Sequence, residues 1–381
     1  MLKMIKFNLK NRTLLILITT IVFLAIGFAL YLGDDFLKYF YFYNRLTDQH
    51  FQVIGPDSSP ILFITIMACI LCTIIPIIEF SFKMSKISID QMYSLPIKRE
   101  KLYLAKFISG FIEVLIPVCV VFIFCLLKVL FSNHMYETIY FLPYFVCLIL
   151  FMFFLYSTIT FFFTRGNTVI DGIINVVLII FVVELFSSTI DSMLWGNIRN
   201  YFDSGSCYLY SPISIISELF DNKLSAEAIN KLHTMYDEYY YTVRVNLTTY
   251  EIVSVIIFIL IGIGSTILFV LLNKKDKAED SMQVSNSWFS YKVFIPVYMS
   301  LISLLMMDGS ELIGFVFLFV GTYIAYVIYR RSLKIKKWDI IVPVICFVSM
   351  MIIYIVLDNL RPNPYACNDY GCIMDALLYL V

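Results

Sequence analysis

The chain of 381 residues reads as an all-α polytopic membrane protein. Three observations predict this. Hydrophobic residues make up 60% of the chain and charged residues only 15%, where a soluble domain carries about a quarter charged. The apolar residues gather into runs of about 20, the length of helix that crosses a hydrocarbon core of about 30 Å. Lipid-exposed backbone must satisfy its hydrogen bonds within its own segment, and these runs lack the strict alternation of a barrel strand, so helices are the expected spanning element.

Nine spans follow from the hydropathy: Thr13–Leu32, Pro60–Phe82, Phe107–Phe131, Ile139–Phe163, Val169–Phe186, Ile252–Leu272, Val293–Met307, Leu312–Tyr329 and Ile340–Leu357. Ahead of the first, Met1–Arg12 predicts a short interfacial helix. Lys3, Lys6 and Lys10 share one stripe, and Leu2, Ile5 and Leu9 the adjacent one. The alternative is that these lysines serve only as a topology signal. The first span is too long for a cleaved signal peptide, and no small-x-small site follows it, so it reads as a retained anchor.

Most of the 28 Lys and Arg residues fall on one side of this arrangement if the N-terminus is cytoplasmic. The basic cluster Arg330–Lys337 joins that side only if the seventh and eighth spans form a hairpin, which places the C-terminus outside. The predicted organisation is an interfacial helix at 1–12, a six-span core at 13–277 and a three-span extension with a short outer tail at 278–381. The core carries a cytosolic loop at 83–106 and an extracellular loop at 187–250.

The extracellular loop is acidic and rich in tyrosine, with helix starts expected at Ser211-Pro212 and Ser225. It reads as a small cap on the membrane, or as a surface for a cationic amphipathic substrate. Six of the nine cysteines fall within spans as packing residues. Cys367 and Cys372 flank the outer turn Asn368–Gly371 and are a candidate disulfide.

Several chemistries are missing. The chain has no GxxxxGK[ST] phosphate loop and no HExxH, and its three histidines, His50, His134 and His233, are scattered. No catalytic constellation, metal site or cofactor site is expected, and no nucleic-acid partner. Gly262-Ile-Gly264-Ser265 lies inside a span and predicts close helix packing. The ionisable residues of the spans, Glu79, Glu113, Lys128, Asp171 and Glu184, lie toward span ends. The first two and Asp171 are expected to pair with Lys83, Lys106 or Arg165. Without a carboxylate at mid-membrane, energy for transport would come from a partner.

That leaves the charged island Lys83–Lys106, too long for a simple turn. A short helix over Ser88–Met92, with Ser88 as its cap and Asp90 near its positive end, followed by the Leu95-Pro96 break and the basic residues Lys98 and Arg99, has the composition of a docking surface for a soluble protein. The run from Tyr93 through Leu95, Pro96, Lys98, Arg99 and Lys106 to Phe107 resembles the loop before the third span of ABC-2-type permeases, the membrane subunits of ABC exporters. Tyr210-Ser-Pro-Ile213 and Lys275-Asp-Lys-Ala-Glu279 resemble the same family. The resemblance implies a permease subunit that exports a peptide, lipid or drug by alternating access. It implies two ATPase subunits that bind ATP and Mg on their own chains, and a second permease, identical or different. The last three spans resemble an extension found in permeases of Gram-positive bacteria associated with antimicrobial peptide resistance. Two other classes compete: a membrane-embedded enzyme acting on lipids or envelope precursors, and a sensor or immunity scaffold that binds a peptide without moving it.

Overall fold

The computed structural model describes residues 1–31, 37–44, 49–56, 59–131, 135–195, 249–274, 276, 278–283, 287–307, 312–330, 332–334 and 337–360. These hold eleven α-helices: α1 (Leu2–Asn11), α2 (Thr13–Tyr31), α3 (Ser59–Phe80), α4 (Lys86–Tyr93), α5 (Arg99–Phe131), α6 (Met135–Thr164), α7 (Val169–Trp195), α8 (Thr249–Asn273), α9 (Tyr291–Met307), α10 (Leu312–Arg330) and α11 (Lys337–Leu360). Each of the nine expected spans falls on one of them. By length and composition, four helices are sufficient to cross a membrane, or five when α1 and α2, bent by 58° at Arg12, are taken together. The other expected spans are shorter apolar helices over their described side chains.

One element was not expected. Strands β1 (Leu37–Asn44) and β2 (Gln49–Pro56) pair antiparallel, with Leu37 opposite Pro56 and Asn44 opposite Gln49. The aromatic run Tyr39–Tyr43 favours extended backbone. The ladder lies between the first two spans, so the spanning part remains all-α.

Two compact units are present. The described residues of 1–176 and 249–283 form the first, and those of 177–195 and 287–360 the second. In the first, α3 shows its logic most simply. Ile64, Met67, Leu71 and Ile75 recur at helical spacing and are buried, whereas Ile66, Ile70 and Ile74 on the other side are exposed. One stripe packs and the other suits lipid. The buried stripe packs on α5 and α6, which bury Val114, Val118 and Val121 and Leu148, Met152 and Tyr156 respectively. Helices α6 and α8 approach closely because Gly262 has no side chain. A Cβ there would lie 2.5 Å from Phe154 Cβ. Ser157 and Thr266 share a hydroxyl hydrogen bond of 2.6 Å beside it. The expected packing role thus holds for Gly262, while Gly264 faces open space.

In the second unit, α9 buries Phe294, Met299, Leu301 and Leu304 against α10 and α11. Tyr291 stacks on Tyr329 with ring centroids 4.1 Å apart. Phe347 of α11 receives Phe315 and Phe319 edge-on. The Tyr298 hydroxyl donates to the Leu178 carbonyl of α7 at 2.7 Å. Cys207, Cys367 and Cys372, the loop helices expected after Ser211 and Ser225, and the side chains of Lys128 and Glu184 lie outside the described residues.

Candidate coupling site

At the C-terminal end of α3 the chain tightens into a 3-10 turn, Ser81–Met84, and then starts α4 at Lys86. The short helix is longer than expected and begins earlier. Ser85 holds the extended N-cap position (φ −113°, ψ 124°), with no side-chain cap bond. Ser88 therefore does not cap the helix. It lies half-buried within it, and Asp90 sits in the second turn rather than at the positive end. The reason is local: Phe82 and Met84 are buried, and a helix starting at once after them keeps Ile89, 1% exposed, on the same inner side. Leu95-Pro96 ends α4, and α5 starts at Arg99. The basic run is thus the first turns of a 33-residue helix.

The outward side of this corner is a mixed strip. Lys86, Ile87, Asp90 and Gln91 of α4 are exposed, as are Leu95, Pro96, Ile97, Lys98 and Arg99 beyond it. Ile87 is 74% exposed, far more than an apolar residue requires if nothing covers it. Five of the six residues expected to contact an ATPase, Asp90, Leu95, Pro96, Lys98 and Arg99, share this strip, with Ser88 half-buried behind it.

Arg99 also fastens the corner. Its guanidinium lies 4.4 Å from the Tyr93 ring centre, and Nη1 donates to the Asp276 carbonyl at 2.7 Å. The Tyr93 and Tyr103 hydroxyls are 3.0 Å apart. Burial pushes the Tyr93 phenol up from its ordinary pKa, while that hydrogen bond opposes the shift. Outside, Lys274 pairs with Glu100 at 2.7 Å, which raises the lysine pKa.

Beneath the strip, Asp276 gathers two cations. Its Oδ2 lies 2.6 Å from Lys83 Nζ and 3.3 Å from Arg165 Nη2. Lys83 also donates to the Thr164 carbonyl, and Arg165 to Asn273 Oδ1. Lys83 follows α3, Arg165 follows α6, and Asp276 follows α8. One carboxylate thus ties three helix ends together, and the backbone carbonyl of the same residue, held by Arg99, ties the start of α5 as well. Asp171 was expected to pair with Lys83, Lys106 or Arg165. Instead, Asp171 takes up the start of α7, where its N–H donates to Thr168 Oγ1 at 3.1 Å in an N-cap bond.

A second charged group lies behind the first. Arg12, at the bend between α1 and α2, places Nε 2.8 Å from Glu79 Oε1 and 3.9 Å from Glu113 Oε1. Lys106, one of three cations the sequence offered, binds Glu79 Oε2 at 2.9 Å. Glu113 is 1% exposed and lies beside Glu79 in the same cluster. Tyr156 fits beside the pair because residue 110 is glycine. A Cβ there would overlap the Tyr156 hydroxyl and stand 3.0 Å from Glu79 Cγ.

Sequence reasoning found the exposed strip but missed Asp276 and Arg12. Asp276 belongs to the Lys275–Glu279 stretch already noted as family-like, and Arg12 was counted only as a topology charge. Among the described residues, no His/Cys/Asp/Glu group is arranged to hold a metal.

The apolar helices are those of a multi-pass membrane protein. Residues 50–219 match the family described as ABC-2 family transporter protein. The matched region contains the whole of Lys83–Lys106. No curated protein and no solved structure matches the chain.

Proposed function

We propose that the chain is the membrane subunit of an ATP-driven exporter and that the Lys86–Arg99 strip receives force from a separate ATPase subunit. The observation that carries this is the joining of an exposed docking strip to span ends through Asp276. A push on α4 reaches α3 directly through the 3-10 turn. It reaches α5 through Arg99, and α6 and α8 through the Asp276 cluster. An element that merely closed a turn would need neither the exposed apolar residues nor the buried charges. ATP and Mg would bind the partner, since this chain has no phosphate loop. In our reading the assembly holds two ATPase subunits and a second permease, with the N-terminus cytoplasmic. It moves an amphipathic substrate such as a peptide, lipid or drug outward. Resistance to antimicrobial peptides is the physiological role suggested by the C-terminal extension.

Affinity purification of the chain from its host membrane tests this. The expected result is an ATPase subunit that co-purifies with the native chain and is lost with Asp90→Ala, Leu95→Ala or Arg99→Ala, each variant keeping its native elution volume. Stable native chain with no ATPase bound, or undiminished capture by all three variants, would overturn the proposal.

A further inference from the structure

The N-terminal helix α1 carries a surface that ATPase coupling does not use. Its inner side is docked: Ile5 and Asn8 are buried, Asn8 Nδ2 donates to Ser109 Oγ at 3.4 Å, and Arg12 enters the Glu79 and Glu113 cluster. Among the described residues the opposite side makes no such contact. Lys3, Lys6 and Lys10 are exposed there with no acidic residue among them, because α1 contains none. Apolar residues flank the lysines at large exposure, Leu2 at 80% and Phe7 at 62%.

Position limits what this surface can meet. A single residue, Arg12, separates α1 from a membrane span, and the two helices bend by 58°. The helix is therefore held at the membrane boundary, within one or two turns of the headgroups. A surface of lysines with interleaved apolar side chains at that depth matches anionic headgroups above acyl chains.

We infer that α1 reads anionic lipid. Lys3, Lys6 and Lys10 contact acidic headgroups, Leu2 and Phe7 enter the adjoining acyl region, and the docked side passes the state of that contact to Glu79 and Glu113 through Arg12. The occupant is the lipid surface rather than a soluble polyanion, because α1 adjoins a span directly and a soluble polyanion offers no apolar phase for Leu2 and Phe7.

The test is amide hydrogen exchange on the full chain in nanodiscs of phosphatidylcholine alone and of phosphatidylcholine with phosphatidylglycerol. Added phosphatidylglycerol should slow exchange across Leu2–Asn11, with protection rising on the order of fivefold for each lysine engaged. The difference should shrink at high salt. In the variant Lys3→Gln/Lys6→Gln/Lys10→Gln the lipid dependence should vanish while α5 keeps its protection, which shows that the bundle is folded. Equal exchange of α1 in both discs, or lipid dependence retained by the triple variant, overturns the inference. Protection that appears only on adding an ATPase subunit also overturns it and assigns the lysines to protein docking. The readout needs no ATPase, so it stands or falls separately from the proposed function.

Discussion

Replacing Asp276 by Asn removes one charge while keeping the shape of the side chain and the carbonyl that Arg99 binds. Two cations then lose their shared counter-charge. Lys83 and Arg165 side chains are 8% and 6% exposed, and Asp276 is 17% exposed. At an effective dielectric of about 20, an ion pair 4 Å apart is attracted by about 4 kcal/mol before desolvation. Breaking a buried pair by removing one partner costs about 3–5 kcal/mol, because the remaining charge stays buried. Lys83 keeps the Thr164 carbonyl and Arg165 keeps Asn273, so the expected loss is at the low end, about 3 kcal/mol. Unfolding by SDS in mixed micelles reads it out. Adding Lys83→Met to Asp276→Asn should recover part of the loss, since neighbours in one network are not additive. The exposed pair sets the control: Lys274→Gln, 64% exposed against Glu100 at 41%, should leave the SDS midpoint essentially unchanged. An Asp276→Asn loss no larger than this control, or strict additivity with Lys83→Met, would refute the reading of Asp276 as the tie between helix ends.

Three other outcomes follow from the packing. Gly110→Ala should destabilise the chain by about 1–3 kcal/mol through overpacking against Tyr156 and Glu79, and the same SDS titration should show partial relief in Gly110→Ala/Tyr156→Phe. Gly262→Ala should cost a similar ~1–3 kcal/mol by forcing Phe154 away, whereas Gly264→Ala, facing open space, should be stabilising or neutral, within about 1 kcal/mol. Glu79→Gln strips the charge from the acceptor of both Arg12 and Lys106. It should release α1, seen as faster amide exchange over Leu2–Asn11 with α6 unchanged.

Helix positions were readable from hydropathy because a span is selected by length and apolarity alone, properties that survive without knowledge of neighbours. The corner at Lys86–Arg99 was readable for a related reason: Pro96 and the surrounding charges break an apolar pattern locally. Its exact start was not, because the buried side chains of Phe82, Met84 and Ile89 fix where α4 begins, and their burial depends on tertiary packing. Pairing of the charges was half legible. Glu79 with Lys106 joins two spans already assigned to the same membrane side. Asp276 with Lys83 and Arg165 required knowing which helix ends converge. The β1–β2 ladder leaves no mark in a span-length hydropathy pattern, although the alternating tyrosines and phenylalanines of residues 39–43 carry strand propensity.

The central claim is that the strip on α4 and the following turn meets an ATPase. Photo-crosslinking on the assembled transporter tests it most directly, with a benzophenone amino acid placed at Ile87 or Leu95 and, as a lipid-facing control, at Ile18, all of them exposed in the isolated chain. The account predicts capture of the ATP-hydrolysing subunit from Ile87 and Leu95, changing with nucleotide, and none from Ile18. ATPase assembled with the permease but captured from neither Ile87 nor Leu95 would contradict it.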